Sequence, residues 1–140
     1  MKLVVDTNTL ISGSLWSGPP ARLVSAALAG QAQLFLSLAM LLELREALQY
    51  PRLALRLAAA GETPDTLVSR FRAACSEAAP AQILPPSGLV DPDDLHVLAC
   101  AVSVGADAIV TGDKDLLTLG SFEGIPIMKA AQALNVLGLT

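Results

Sequence analysis

Aromatic, histidine and cysteine side chains are scarce in this sequence: one Trp, one Tyr, three Phe, one His and two Cys among 140 residues. With a single histidine, His96, and no cysteine cluster, there is no ligand set for a zinc site. Cys75 and Cys100 each sit in an Ala-rich apolar context, which suits reduced core residues of a cytoplasmic protein better than a disulfide. The longest apolar run, Leu34 to Leu42, is nine residues with Ser37 inside it. Spanning a bilayer takes about 20, so a membrane helix is not expected. The opening Met1-Lys2-Leu3-Val4-Val5-Asp6 reaches an acid too early for a signal peptide. No Gly/Ser or Pro tract offers a linker, and 53% apolar against 16% charged residues is not a disordered composition. The expectation is one domain over residues 1–140.

The net charge of −4 argues against broad attraction to nucleic acid, but the acids are unevenly placed. Asp91, Asp93 and Asp94 fall together, as do Asp113 and Asp115, while Asp6 and Glu43 each interrupt an apolar stretch. Setting those seven aside leaves six acids against nine bases. If the seven converge, the protein is a mildly basic body with one strongly negative pocket.

Short apolar segments alternate with helical ones. Strands are expected at Lys2–Val5, Gln33–Ser37, Gln82–Leu84, Ala108–Thr111 and Ile125–Met128. Helices are expected from Pro19 to about Ala29, over Leu38–Tyr50 and Arg52–Ala60, from Thr63-Pro64 onward, from Asp93 or Asp94 to Val104, and over Ala130–Val136. The stretch after Val5, with Trp16 in it, reads as a loop. This alternation is the pattern of a parallel sheet between helical layers, in which ligands bind beyond the carboxyl ends of the strands. Asp6 and Asp113 each follow a strand, Asp94 lies near a helix start, and Glu43 lies a turn and a half into the helix after the second strand.

Carboxylates crowded in one pocket repel one another and resist desolvation, unless a cation offsets them. Magnesium or manganese, hard ions that favour oxygen ligands, would do so and would suit phosphodiester hydrolysis. Each acid also has a purely structural reading. Asp93 or Asp94 alone reads first as a helix N-cap, Asp113 with Asp115 as turn chemistry, and Glu43 as the solvated side of an amphipathic helix. Asp6, at the end of a strand buried on both faces, is the hardest to explain that way.

These residues resemble the PIN-domain family. The resemblance rests on Val4-Val5-Asp6-Thr7-Asn8-Thr9-Leu10-Ile11-Ser12, on Glu43 within Leu41-Leu42-Glu43-Leu44, on Asp91-Pro92-Asp93-Asp94, and on Ala106 to Leu117 with its Thr111-Gly112-Asp113-Lys114-Asp115. It is similar to the bacterial VapC-type ribonucleases, the toxin components of toxin–antitoxin pairs. The resemblance implies a three-layer α/β/α sandwich with a mostly parallel sheet, and a magnesium- or manganese-dependent endoribonuclease acting on RNA. It also implies a homodimer and a cognate antitoxin. Carried over by position, the catalytic and metal-binding acids are Asp6, Glu43, Asp94 and Asp113, with Asp115 as an additional metal ligand. Asp93 is the competing choice for the third acid. Asn8 and Thr111 match polar positions that support the acids by hydrogen bonding.

The competing functions are a catalytically weak PIN-like module acting through a protein partner and a receiver-like phosphoacceptor domain. The complete set of acids disfavours the first. The absence of a lone aspartate on a middle strand disfavours the second. His96 reads as a surface imidazole and Trp16 first as a packing or dimer residue, then as a base-stacking one. Arg45, Arg52, Arg56, Arg70 and Arg72 read equally as a solvated helix face and as a hold on RNA phosphates or an antitoxin acid.

Overall fold

The first strand, β1 (Lys2–Val5), is too apolar to have a solvent side, and Leu3, Val4 and Val5 are all buried. Five more strands join it: β2 (Gln33–Leu36), β3 (Ser76–Glu77), β4 (Ala108–Val110), β5 (Ser121–Phe122) and β6 (Ile125–Met128). They form one sheet in the order β3-β2-β1-β4-β6-β5, parallel throughout except for β5, which runs antiparallel to β6. The structure, a computed structural model, describes residues 1–89 and 91–139.

Eight helices and a 3-10 turn (Pro51–Leu53) make up the rest of the regular structure among these residues. The helices are α1 (Thr7–Leu15), α2 (Pro19–Leu28), α3 (Leu38–Ala47), α4 (Ala54–Ala59), α5 (Pro64–Ala74), α6 (Pro92–Val104), α7 (Lys114–Leu119) and α8 (Ala130–Val136). With the sheet they form the three-layer α/β/α arrangement. Helix α6 packs on β1, β2 and β4, with α3 against α6 and α5 against α3. Helix α8 packs on β4 and against α2, which in turn packs on α1. Leu3, Leu36, Leu44, Phe71, Leu98 and Ile109 lie in one hydrophobic cluster that ties these elements together. Among the described residues no helix is long and apolar enough to cross a membrane.

Several expected ends are set by the anticipated residues. Thr63 caps α5 in a reciprocal pair with Thr66, with Pro64 in the first turn. Gly105 closes α6 in the left-handed conformation, at φ 61°. Cys100 is fully buried and Cys75 partly so, and both are free thiols.

Three expectations are corrected. The stretch after Val5 is helix α1, not a loop, and Trp16 ends that helix. Thr, Asn, Ser and Gly are weak helix formers, but Asp6 caps the first turn by accepting from Thr9 N at 2.9 Å, and Leu10, Ile11 and Leu15 bury one face. Gly13 lets α1 approach α2: a Cβ there would stand 2.5 Å from Val24 Cγ2 and 2.7 Å from the Pro20 carbonyl oxygen. Residues Gln82–Leu84 form no strand. The sheet edge beside β2 is taken by β3, which emerges directly from α5, and Ala78 N then bonds Leu36 O at 2.9 Å. By Ala81 the chain has left that edge, donating to Ala99 O at 3.1 Å. Finally, α6 starts at Pro92 with Asp91 as its cap, so neither Asp93 nor Asp94 is the capping residue.

The strand order reverses direction at β1. The chain moves outward through β2 and β3, then returns to the other side of β1 for β4 and β6. Such a switch point opens a crevice beyond the carboxyl ends of the two central strands. Val5 is paired with Val110 there, so the next residues of both strands, Asp6 and Thr111, meet at its floor.

Candidate active site

Asp6 is buried, and both its oxygens are engaged. Oδ1 accepts from Thr9 N and Oδ2 from the Thr111 hydroxyl. The Thr111 hydroxyl oxygen also accepts from Asp113 N at 3.0 Å. A continuous path therefore runs from the backbone of Asp113 through Thr111 to Asp6, fixing the ends of β1 and β4 against each other. Asp113 caps α7, its Oδ1 accepting from Asp115 N at 2.7 Å and from Leu116 N at 3.4 Å. The turn chemistry read from the sequence is therefore present, and it aims the Asp113 carboxylate at the crevice rather than replacing that role.

Because Asp91 takes the cap of α6, accepting from Asp93 N at 3.0 Å, Asp94 is free to point inward. It is 5% exposed, and its Oδ2 has no hydrogen-bond partner. Carboxylate oxygens of Asp94, Asp113 and Asp115 lie within 4.8 Å of one another. Burial, then repulsion from Asp113, Asp91, Asp6 and Asp115, raises the Asp94 carboxyl to about 7.

Glu43 stands on α3, half-buried. Its Oε1 accepts from the Thr7 hydroxyl, while Oε2 is enclosed without a partner. Burial pushes this carboxyl up to about 7 against the lowering effect of the Thr7 bond, and Asp93, Asp6 and Asp91 add repulsion. Its ligand-distance neighbours are Asp93 and His96. His96 Nδ1 is enclosed, 3.9 Å from Asp93 Oδ1. Asp6 is raised too, chiefly by burial, with hydrogen bonds from Thr111 and Thr9 opposing and Asp113 adding repulsion.

The structure thus divides the sequence-derived acids. Asp94, Asp113 and Asp115 form one ligand-distance group, and Glu43, Asp93 and His96 form another. Asp6 belongs to neither group, yet its charge is felt by Asp94 and Glu43. Asp93 and Asp94, read as alternatives, point into different groups. The Thr111 hydroxyl donates to Asp6. Asn8 is exposed and its side chain makes no hydrogen bond among the described residues, while the Thr7 hydroxyl, which the sequence reading did not name, donates to Glu43. The signal that could have found Thr7 is an N-cap at Asp6, which would place residue 7 in the first turn of a helix; the structure puts that turn in α1, beside α3.

The donor chemistry fits a hard dication. Three carboxylates share one small space, two buried carboxylate oxygens have no donor facing them, and nearby carboxyls are pushed toward their neutral form. A divalent cation held by Asp94, Asp113 and Asp115 would relieve the crowding of those three carboxylates, the unpartnered Asp94 oxygen and the raised Asp94 carboxyl, while Glu43 lies in the other group.

A family model described as PIN domain matches residues 2–115, a span that includes every acid discussed above. No curated protein matches the sequence.

Proposed function

The chain belongs to the PIN-domain family, whose members are generally metal-dependent nucleases, and from that premise we propose that it hydrolyses internal phosphodiester bonds of RNA with Mg2+ or Mn2+. The observation that carries this reading is the enclosed, unpartnered Asp94 carboxylate grouped with Asp113 and Asp115 at the switch point of the sheet. Those three residues would hold the ion, which when bound supplies positive charge to the phosphate and acidity to water. Asp6 is a carboxyl held beside that group, oriented by Thr111 and Thr9. Glu43, whose carboxyl titrates near 7, is poised to accept or release a proton around neutral pH. Thr7 orients it by donating to Oε1, while Oε2 stays enclosed without a partner.

The RNA preference, the role as the toxin of a toxin–antitoxin pair, the antitoxin partner, the homodimer and the cytoplasmic location all belong to this proposal. The test is cleavage of a labelled single-stranded RNA in millimolar Mg2+ or Mn2+. Activity should vanish in excess chelator and in Asp94→Asn. Equal cleavage with chelator present would refute the metal role. A toxin arrests growth when expressed alone and is relieved by its antitoxin, so unimpaired growth on induction would refute that part.

A further inference from the structure

Beside the acidic crevice lies a second depression of about 470 Å³, between α1 and the 3-10 turn. Asn8, Ile11, Ser12, Trp16, Arg52 and Leu53 line it, a mixed surface in which Trp16 is the exposed apolar side chain and Ile11 and Leu53 lie buried behind it. Asn8 and Arg52 also line the adjoining cavity, of about 550 Å³, which contains Glu43, Asp93 and His96. The two spaces therefore meet at Asn8 and Arg52. Trp16 is 40% exposed, so its ring is neither a core residue nor fully wet. The Arg56 guanidinium lies 4.5 Å from the centre of that ring, and Arg52 lies 5.8 Å from the ring of exposed Tyr50.

Among the described residues four arginines, Arg22, Arg52, Arg56 and Arg72, form no ion pair, and of these only Arg52 and Arg56 lie over aromatic rings. Arg45 is paired with Asp65 and Arg70 with Glu62. Arg52 and Arg56 have no carboxylate within 4.0 Å among the described residues and rest on aromatic faces instead. Two guanidinium groups without an ion pair and two exposed rings thus stand on or beside the cavity that holds Glu43, Glu46 and Asp93. A ligand that satisfies both features is anionic and carries flat π surfaces. An unpaired nucleic-acid strand has a phosphate at every step and an available base face, whereas a duplex hides its base faces in the stack. An acidic peptide matches the charge but offers no repeating π surface.

We propose that the depression lined by Trp16, Ile11 and Leu53 is a subsite for one unpaired base of the RNA strand, with Arg52 and Arg56 binding the flanking phosphates. This rests on the nuclease reading for the identity of the strand. Trp16, braced on one side by Arg56, supplies the stacking face. Arg52, at the junction of the two spaces, draws the next phosphate toward the acids, where the negative field would otherwise repel it.

Trp16 is the only tryptophan, so its fluorescence reports directly on the subsite. The probe is a short dye-free oligouridylate in chelator, where the proposed cleavage is absent. A dye-labelled version, followed by anisotropy, serves variants lacking the tryptophan. The oligonucleotide should quench Trp16 saturably. Trp16→Ala should weaken binding about 5- to 150-fold, the range that loss of one base–aromatic stack carries. Trp16→Phe should recover most of that loss, separating stacking from any folding defect. Arg52→Ala and Arg56→Ala should each reduce the slope of log affinity against log salt by roughly 0.7. Binding of Trp16→Ala within twofold of the parent overturns the subsite. So does equal quenching by an abasic oligonucleotide or by an acidic peptide of matched charge, the latter pointing to a protein-binding face. RNA that binds through Trp16 but is never cleaved with Mg2+ sinks the nuclease reading alone. Cleavage with binding indifferent to Trp16 sinks the subsite alone.

Discussion

Replacing Asp94 with Asn should stabilise the metal-free protein, although it removes a residue of the proposed machinery. In the native state burial and four neighbouring acids raise the Asp94 carboxyl from 3.8 to about 7. The unfolded chain releases that proton near 3.9. The folded state therefore holds more protons between these values, and stability from this group is intact below about pH 4 and lost as pH rises through about 7. A shift of about three units corresponds to about 4 kcal/mol as a ceiling. Solvent in the open crevice screens part of this, leaving about 1–3 kcal/mol. The Asn amide keeps the shape, carries no charge, and can donate toward the Asp113 and Asp115 carboxylates, which come within 4.8 Å of a carboxylate oxygen of Asp94. At about 4 °C per kcal/mol for a chain of this size, the variant should melt about 4–12 °C above the parent at pH 8 in chelator. The assay is thermal unfolding by far-ultraviolet circular dichroism at intervals from pH 4 to 8. The gap should close toward pH 4, where both proteins are neutral at this position. A variant that melts lower than the parent at pH 8, or a gap independent of pH, would refute the crowding argument.

Magnesium at about 100 times its Kd should raise parental stability by about 2.7 kcal/mol. It should raise that of Asp94→Asn far less, and an equal rise in Tm for both would place the ion elsewhere. Thr111→Val removes the donor to Asp6 and the acceptor for Asp113 N together. It should cost about 1–3 kcal/mol in urea unfolding, with Thr111→Ser retaining most of the stability; a neutral valine would show that the path between β1 and β4 carries no weight. Thr7→Val takes away the bond that lowers the Glu43 carboxyl, so its titration, followed by carbon NMR of the side chain, should move above about 7; a downward move would contradict the assignment. Gly13→Ala gains up to about 1 kcal/mol of helix propensity. It also drives a methyl against the Pro20 carbonyl and Val24, and the net should be a loss of about 1–2 kcal/mol on equilibrium unfolding. A more stable Gly13→Ala would mean that α1 and α2 separate freely.

The residues that decide local geometry were readable in sequence. Thr63-Pro64 starts a helix and Gly105 ends one because caps act within a few residues. The apolar runs at Lys2–Val5 and Ala108–Val110 declare strands covered on both sides. The order of strands and helices, with acids at strand ends, was enough to expect a mostly parallel sheet and an acidic crevice. Tertiary contacts decided the rest. Helix α1 is composed of weak helix formers, and what holds it is the burial of Leu10, Ile11 and Leu15 and the seat beside α2 that Gly13 permits. Strand β3 is two residues long and carries no period of its own; the open edge of β2 selects it over Gln82–Leu84. The sequence reading offered Asp93 or Asp94 as the cap of α6, and the structure gives that place to Asp91. With Asp91 there, helical rotation sends Asp94 toward Asp113 and Asp93 toward Glu43. The carboxylates themselves are local facts of the chain, but their partition into two groups comes from parallel pairing between residues about a hundred positions apart. No short-range pattern can encode that distance.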